Sequence, residues 1–116
     1  MQIEGLRSLE EGWYDSSGTA YQSSALDWLL KLSQAILDGF QLPTPYVYPT
    51  PEGAARLEWP ARSWEVVAIF DLEGRTADVL AARVDSDEIH ELTVPFADVG
   101  AESHFGRFVA EHLQPR

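Results

Sequence analysis

The gaps between the strand-like stretches in the second half of the chain constrain the fold most. Residues 54–59, 64–72, 76–84 and 88–94 read as strands, and only three or four residues separate each from the next. A parallel pair needs a crossover of about a dozen residues or more, so these connections predict antiparallel hairpins. In the first stretch Ala55, Leu57 and Trp59 alternate with Arg56 and Glu58, and Pro60 stops it. In the second, Trp64, Val66, Ala68, Phe70 and Leu72 share one face and Val67 and Ile69 the other. Apolar residues on both faces predict a central strand covered on both sides near its middle. Glu73-Gly74 and Asp85-Ser86-Asp87 supply turn chemistry, and Pro95 marks the end of the last strand.

Helices flank this meander. Leu26, Leu29, Leu30, Ser33, Ile36, Leu37 and Phe40 fall on one face of a predicted helix over 24–38, widened by Trp28 and Leu32. Ser24 with Asp27 three residues on fits a capping box, and Gly39 is placed to take a left-handed C-terminus. Ile3, Leu6 and Leu9 predict one or two helical turns at the start, and Phe105, Phe108, Val109 and Leu113 predict a helix over 98–113, weakened by Gly100 and Gly106. Between helix and sheet, Pro43, Pro45, Pro49 and Pro51 hold the chain extended, with Tyr46, Val47 and Tyr48 as a short strand at a sheet edge. The expected fold is one α+β domain over residues 1–116: an antiparallel meander of four to five strands, packed by a long helix from the N-terminal half and a C-terminal helix.

Composition narrows the function classes. Nineteen acidic residues face eight basic ones, a net charge of −11 in 116 residues. The basic residues are scattered, which argues against direct nucleic-acid binding, where Lys and Arg must neutralise phosphates. There is no cysteine, so disulfides, thiolate zinc sites and cysteine nucleophiles are out, and the cytoplasm is the favoured compartment. Residues 1–11 lack the apolar run of a signal peptide, and the apolar stretch 25–37 is interrupted by Asp27, Lys31 and Gln34, so no membrane contact is expected.

Motifs for catalysis and cofactors are missing. Neither a nucleophile elbow nor a glycine-rich phosphate loop occurs, and no cofactor is predicted. His104 and His112 are eight residues apart on one helix, a poor spacing for a shared metal, and His90 lies in a strand; all three read as surface histidines. Asp85, Asp87, Glu88 and Glu91 lack the glycine and length of a calcium loop and read as a solvated turn. No metal site and no enzyme activity are expected.

The four tryptophans carry more information. Trp is enriched at interface hot spots, and Trp13 with Tyr14 and Asp15 sits in the turn-rich loop 12–19, while Trp59 and Trp64 flank the turn 60–63. Trp13, Tyr14, Asp15, Trp59 and Trp64 are therefore the candidate partner-binding residues.

The order Gly12-Trp13, Gly18, a leucine-rich helix, Pro43-Thr44-Pro45, Pro49-Thr50-Pro51-Glu52-Gly53 and Leu57-Glu58-Trp59 resembles a set of small bacterial proteins of unassigned function, over about residues 5–75. Tyr14 stands where that pattern has aspartate, followed here by Asp15, and Ala54 stands where it has a second glycine. The resemblance implies a bacterial, cytoplasmic protein accessory to toxin or defence genes. Together with the charge, it predicts a non-catalytic interaction module, antitoxin- or immunity-like, that binds a basic protein partner. Two alternatives stay open: a phage-type inhibitor whose acids imitate nucleic acid, and a small-molecule-binding protein or enzyme with a pocket between helix and sheet. Self-association as a homodimer, through the 46–48 edge or the aromatic hairpin, also stays open.

Overall fold

In the computed structural model, residues 2–14 and 18–113 are described. A 3-10 helix, Gln2–Ser8, precedes α1 (Ser23–Gly39); five strands follow, β1 (Tyr46–Pro49), β2 (Ala55–Pro60), β3 (Trp64–Asp71), β4 (Thr76–Arg83) and β5 (Ile89–Pro95), and α2 (Ala101–Leu113) closes the order. The sheet is an antiparallel meander, β1-β2-β3-β4-β5, as the short connections require. The proline-flanked β1 is an edge strand, the place in a sheet where a missing N–H is tolerated.

Alternation along the strands builds one core. Ala55, Leu57 and Trp59, then Val66, Ala68 and Phe70, then Ala77, Val79 and Ala81, with Val94, are all buried on one face of the sheet. Both helices lie on that face. Phe105 of α2 packs its ring against Phe70 and Trp59, and Trp28 of α1 meets Phe96 edge-on at 5.8 Å. Ile3 and Leu6 of the 3-10 helix complete the core. No helix among the described residues is long and apolar enough to cross a membrane.

Three local expectations are corrected. The first is the start of α1. It has Gln22 as its N-cap, with no side-chain cap bond, and the Ser24–Asp27 capping box does not form. Arg7 takes Asp27 instead, together with Ser23 rather than Ser24: its guanidinium donates to Asp27, to Ser23 Oγ at 2.9 Å and to Glu4. These acceptors, Glu4 first and Asp27 next, hold the Arg7 guanidinium above its ordinary pKa.

The second is the end of α1. Gly39 is still helical, and Gln41 adopts the left-handed conformation, φ 52°. The amide of Leu42 reaches the Leu37 carbonyl at 2.9 Å and that of Gln41 the Asp38 carbonyl, the paired bonds of a Schellman terminus. A non-glycine residue pays about 1–2 kcal/mol in this conformation, partly offset by glycine's larger entropy loss on folding. Gln41→Gly is therefore expected to raise stability by about 0.5–1 kcal/mol, read as a higher urea midpoint at unchanged slope.

The third is the cover of β3. Both helices pack on the Val66–Phe70 side, and no described element covers Val67 and Ile69.

Candidate functional site: the uncovered sheet face

The register sets the composition of the uncovered face. One row across the sheet runs Tyr46, Glu58, Val67, Leu80 and Glu91; the next runs Tyr48, Arg56, Ile69, Asp78 and Thr93; a third joins Glu65, Ala82 and Ile89. Solvated sheet faces normally carry polar residues. Here Val67, Ile69 and Leu80 form an apolar centre between Glu58 and Arg56 on one side and Asp78 and Glu91 on the other. Ile69 is 41% exposed, and Tyr46, Tyr48 and Ile89 extend the apolar surface toward the sheet edges. A shallow groove of about 430 Å³ runs over Val67, Ile69 and Leu80. Four carboxylates of the strands (Glu58, Glu65, Asp78 and Glu91) share this face with the Arg56 guanidinium, which pairs with Glu58. Thr93 Oγ1 donates to Asp78 at 2.9 Å.

The sequence-predicted anchors do not form one surface. Trp13 lies at the end of the sheet that holds the β1–β2 turn. Its indole N–H donates to the Thr19 carbonyl at 3.0 Å, its ring lies against Gly18, and it meets Tyr14 edge-on at 5.7 Å. Gly18 is required there: φ is +104°, and a Cβ would sit 2.9 Å from Trp13 Nε1. Tyr14 is 57% exposed. Asp15 lies outside the described residues. Trp59 is only 3% exposed, and its N–H donates to the Pro43 carbonyl at 2.8 Å, so it builds the core and presents no surface to a partner. Trp64 lies at the opposite end of the sheet from Trp13, half-buried, its ring centroid 4.8 Å from those of both His90 and His112. No ring contact joins Trp59 to Trp64, because the first packs on α2 and the second on the histidines.

Two of the sequence segments, 12–18 and 49–53, meet at one corner, while 43–45 and 57–59 meet toward the other end of the sheet. The Thr19 amide donates to the Pro51 carbonyl at 2.9 Å, and the Tyr21 hydroxyl bridges Ala54 and Thr50 of the β1–β2 turn. Burial, with Glu52 adding to it, pushes the Tyr21 hydroxyl's pKa up against the opposing bond to Thr50. This corner walls a cleft of about 710 Å³ between Thr19, Tyr21, Gln22, Glu52, Glu73 and Arg75. Arg75 stacks over Trp28 at 5.5 Å, and Asp71 Oδ1 accepts the Glu73 and Gly74 amides. Among the described residues no group of three or more His, Asp or Glu could hold a metal ion.

The sequence signal for the uncovered face was the second apolar stripe, Val67 and Ile69, read as buried. A stripe under a helix and a stripe left open look alike in one sequence. No protein-family model matches the chain, and no curated protein and no solved structure matches it.

Proposed function

We propose that this chain is a non-catalytic protein-interaction module, antitoxin- or immunity-like, that docks a basic protein partner on the uncovered sheet face. The observation that carries the reading is the apolar centre Val67, Ile69 and Leu80 set among Glu58, Glu65, Asp78 and Glu91 on a face that no helix among the described residues covers. An exposed apolar patch rimmed by charge is the usual build of an interface, and a partner with Lys or Arg around an apolar contact matches both parts. The net charge of −11 adds long-range steering toward such a partner. The resemblance to small bacterial proteins supplies the antitoxin- or immunity-like setting and a cytoplasmic location.

Nucleic-acid mimicry is less well supported. It needs acids gathered on one side, and exposed acids also lie on the helical side, at Asp27, Asp38, Glu102 and Glu111. The cleft beside Tyr21 favours the small-molecule reading to the extent that it has room for a metabolite.

The test is a complex reconstituted from this chain and a basic protein recovered with it from its host. Ile69→Lys is expected to keep the fold, since the position is 41% exposed and Asp78 on one cross-strand side offsets Arg56 on the other. Combined with Glu91→Lys, it is expected to weaken the complex about tenfold or more, and salt is expected to weaken the wild-type complex likewise. Asp38→Lys, on α1, is expected to leave affinity unchanged. A complex indifferent to the sheet-face variants overturns the reading. So does the absence of any basic partner together with a thermal shift on adding a metabolite, which moves the function to the cleft.

A further inference from the structure

His90 and His112 are 22 residues apart, on different elements, and the fold brings them into direct contact. His90 stands on β5 opposite Ala81, whose small side chain leaves room above the sheet, and α2 lowers His112 into that space. His90 Nδ1 and His112 Nε2 are 2.8 Å apart. The outer nitrogens are also engaged: His112 Nδ1 is 2.7 Å from the Phe108 carbonyl, and His90 Nε2 is 2.9 Å from Glu88 Oε2. Trp64 packs against both rings, and Phe108 lies on His112 at 4.5 Å. His112 is 9% exposed, so its bonds are shielded from water.

Counting protons along this chain gives the charge at which every one of these bonds is made. The Phe108 carbonyl can only accept, so His112 Nδ1 carries hydrogen. An ionised Glu88 can only accept, so His90 Nε2 carries hydrogen. The central bond needs one hydrogen between its two nitrogens. Three hydrogens on four ring nitrogens make one imidazolium and one neutral imidazole. We propose that His90 and His112 share a single proton and so form a pH-gated latch between β5 and the last turn of α2. A second proton would set two N–H groups and two positive charges face to face in the central bond. Loss of the shared proton would leave two nitrogen lone pairs facing each other, or one facing Glu88. The set is fully bonded only between these two states: acid breaks the central bond, and alkali costs the exposed bond to Glu88 or the central one, so its contribution is greatest in between and falls on both sides.

The surrounding charges fit that state. From the β4–β5 hairpin come Glu88, bonded to His90; Arg83, which stacks over Trp64 at 5.7 Å and lies 3.8 Å from Glu88; and Asp85, bonded to Arg83. From β3 comes the uncharged Trp64. The other ionisable groups of α2, Glu102, His104, Arg107 and Glu111, are exposed. Glu91, next to His90 in sequence, points to the opposite face of the sheet.

The experiment is a proton-NMR titration of the full chain from about pH 4.5 to 8.5, a window around the ordinary imidazole range, with melting followed in parallel. Shared protonation predicts two steps in the ring signals of both His90 and His112. In His90→Gln, His112 is expected to titrate in one step. The wild-type melting temperature minus that of His90→Gln is expected to be bell-shaped in pH, about 3–6 °C at its maximum. Single, independent steps in both rings, with His112 unmoved by His90→Gln, overturn the proposal, as does a melting difference flat across the range. His90 is half-exposed, so the variant is expected to fold; should it not, Glu88→Gln tests the same chain from its outer end.

Discussion

Gly106→Ala is expected to destabilise the protein by about 2 kcal/mol, within the usual cost of overpacking, although helix propensity alone would make it about 1 kcal/mol more stable. Gly106 is buried at the crossing of α2 over the end of α1, where a Cβ would lie 2.2 Å from Phe40 Cδ2 and 2.3 Å from Cε2. Those are atoms of a rigid ring. The ring has little freedom to yield, because Phe40 is tied into the α1 terminus: its amide reaches the Ile36 carbonyl at 3.1 Å, and the Leu42–Leu37 bond closes the turn around it. Two effects of opposite sign thus compete at one position, and the contact distance decides for packing. Urea unfolding checks the sign, and a double-mutant cycle checks the cause. With Phe40→Ala in place the clash is gone, and Gly106→Ala is then expected to stabilise by about 1 kcal/mol. A wild-type background in which Gly106→Ala raises the midpoint would mean the helices part at little cost.

The same glycine shows what a sequence can and cannot convey. Read alone, Gly106 weakens a helix; read against Phe40, it permits one. The strand pattern was legible because alternation and turn length are local, and they fix the meander with few alternatives. The caps were less so. Ser24 and Asp27 satisfy a local rule, but Arg7 draws Asp27 and Ser23 into a contact that spans 16 to 20 residues. Glycine is the usual left-handed residue, and the chain nevertheless turns at Gln41, because the Schellman bonds fall two residues beyond Gly39. The histidine pair was invisible for a stronger reason. Spacing rules find ligands on one element, whereas His90 and His112 meet only after α2 has folded back over β5. The 12–18 and 49–53 segments, by contrast, kept their sequence order and became one corner, joined by Thr19 and Tyr21.

Trp59→Ala is expected to cost about 3–5 kcal/mol, against a total stability of about 5–15 kcal/mol for a domain of this kind, and so to leave the chain close to unfolding. Trp59 was a candidate anchor because tryptophan is enriched at interfaces. Its position in the strand points the other way. It shares a face with Ala55 and Leu57, and that face lies under α2, with Phe105 at 6.4 Å. Trp59→Phe separates the two roles. It keeps most of the packing and loses the 2.8 Å bond to the Pro43 carbonyl, which holds the extended 43–45 segment against the end of the sheet. That bond contributes about 0.5–1.5 kcal/mol, so the Phe variant is expected to fold with a lowered urea midpoint. Because Trp59 offers no surface, affinity for the proposed basic partner is expected to be unchanged in this variant, while Ile69→Lys, on the opposite face, is expected to weaken it. If Trp59→Phe folds normally and loses the partner, the interface lies on the helical side, and the charge and apolar centre of the open face must be assigned another use.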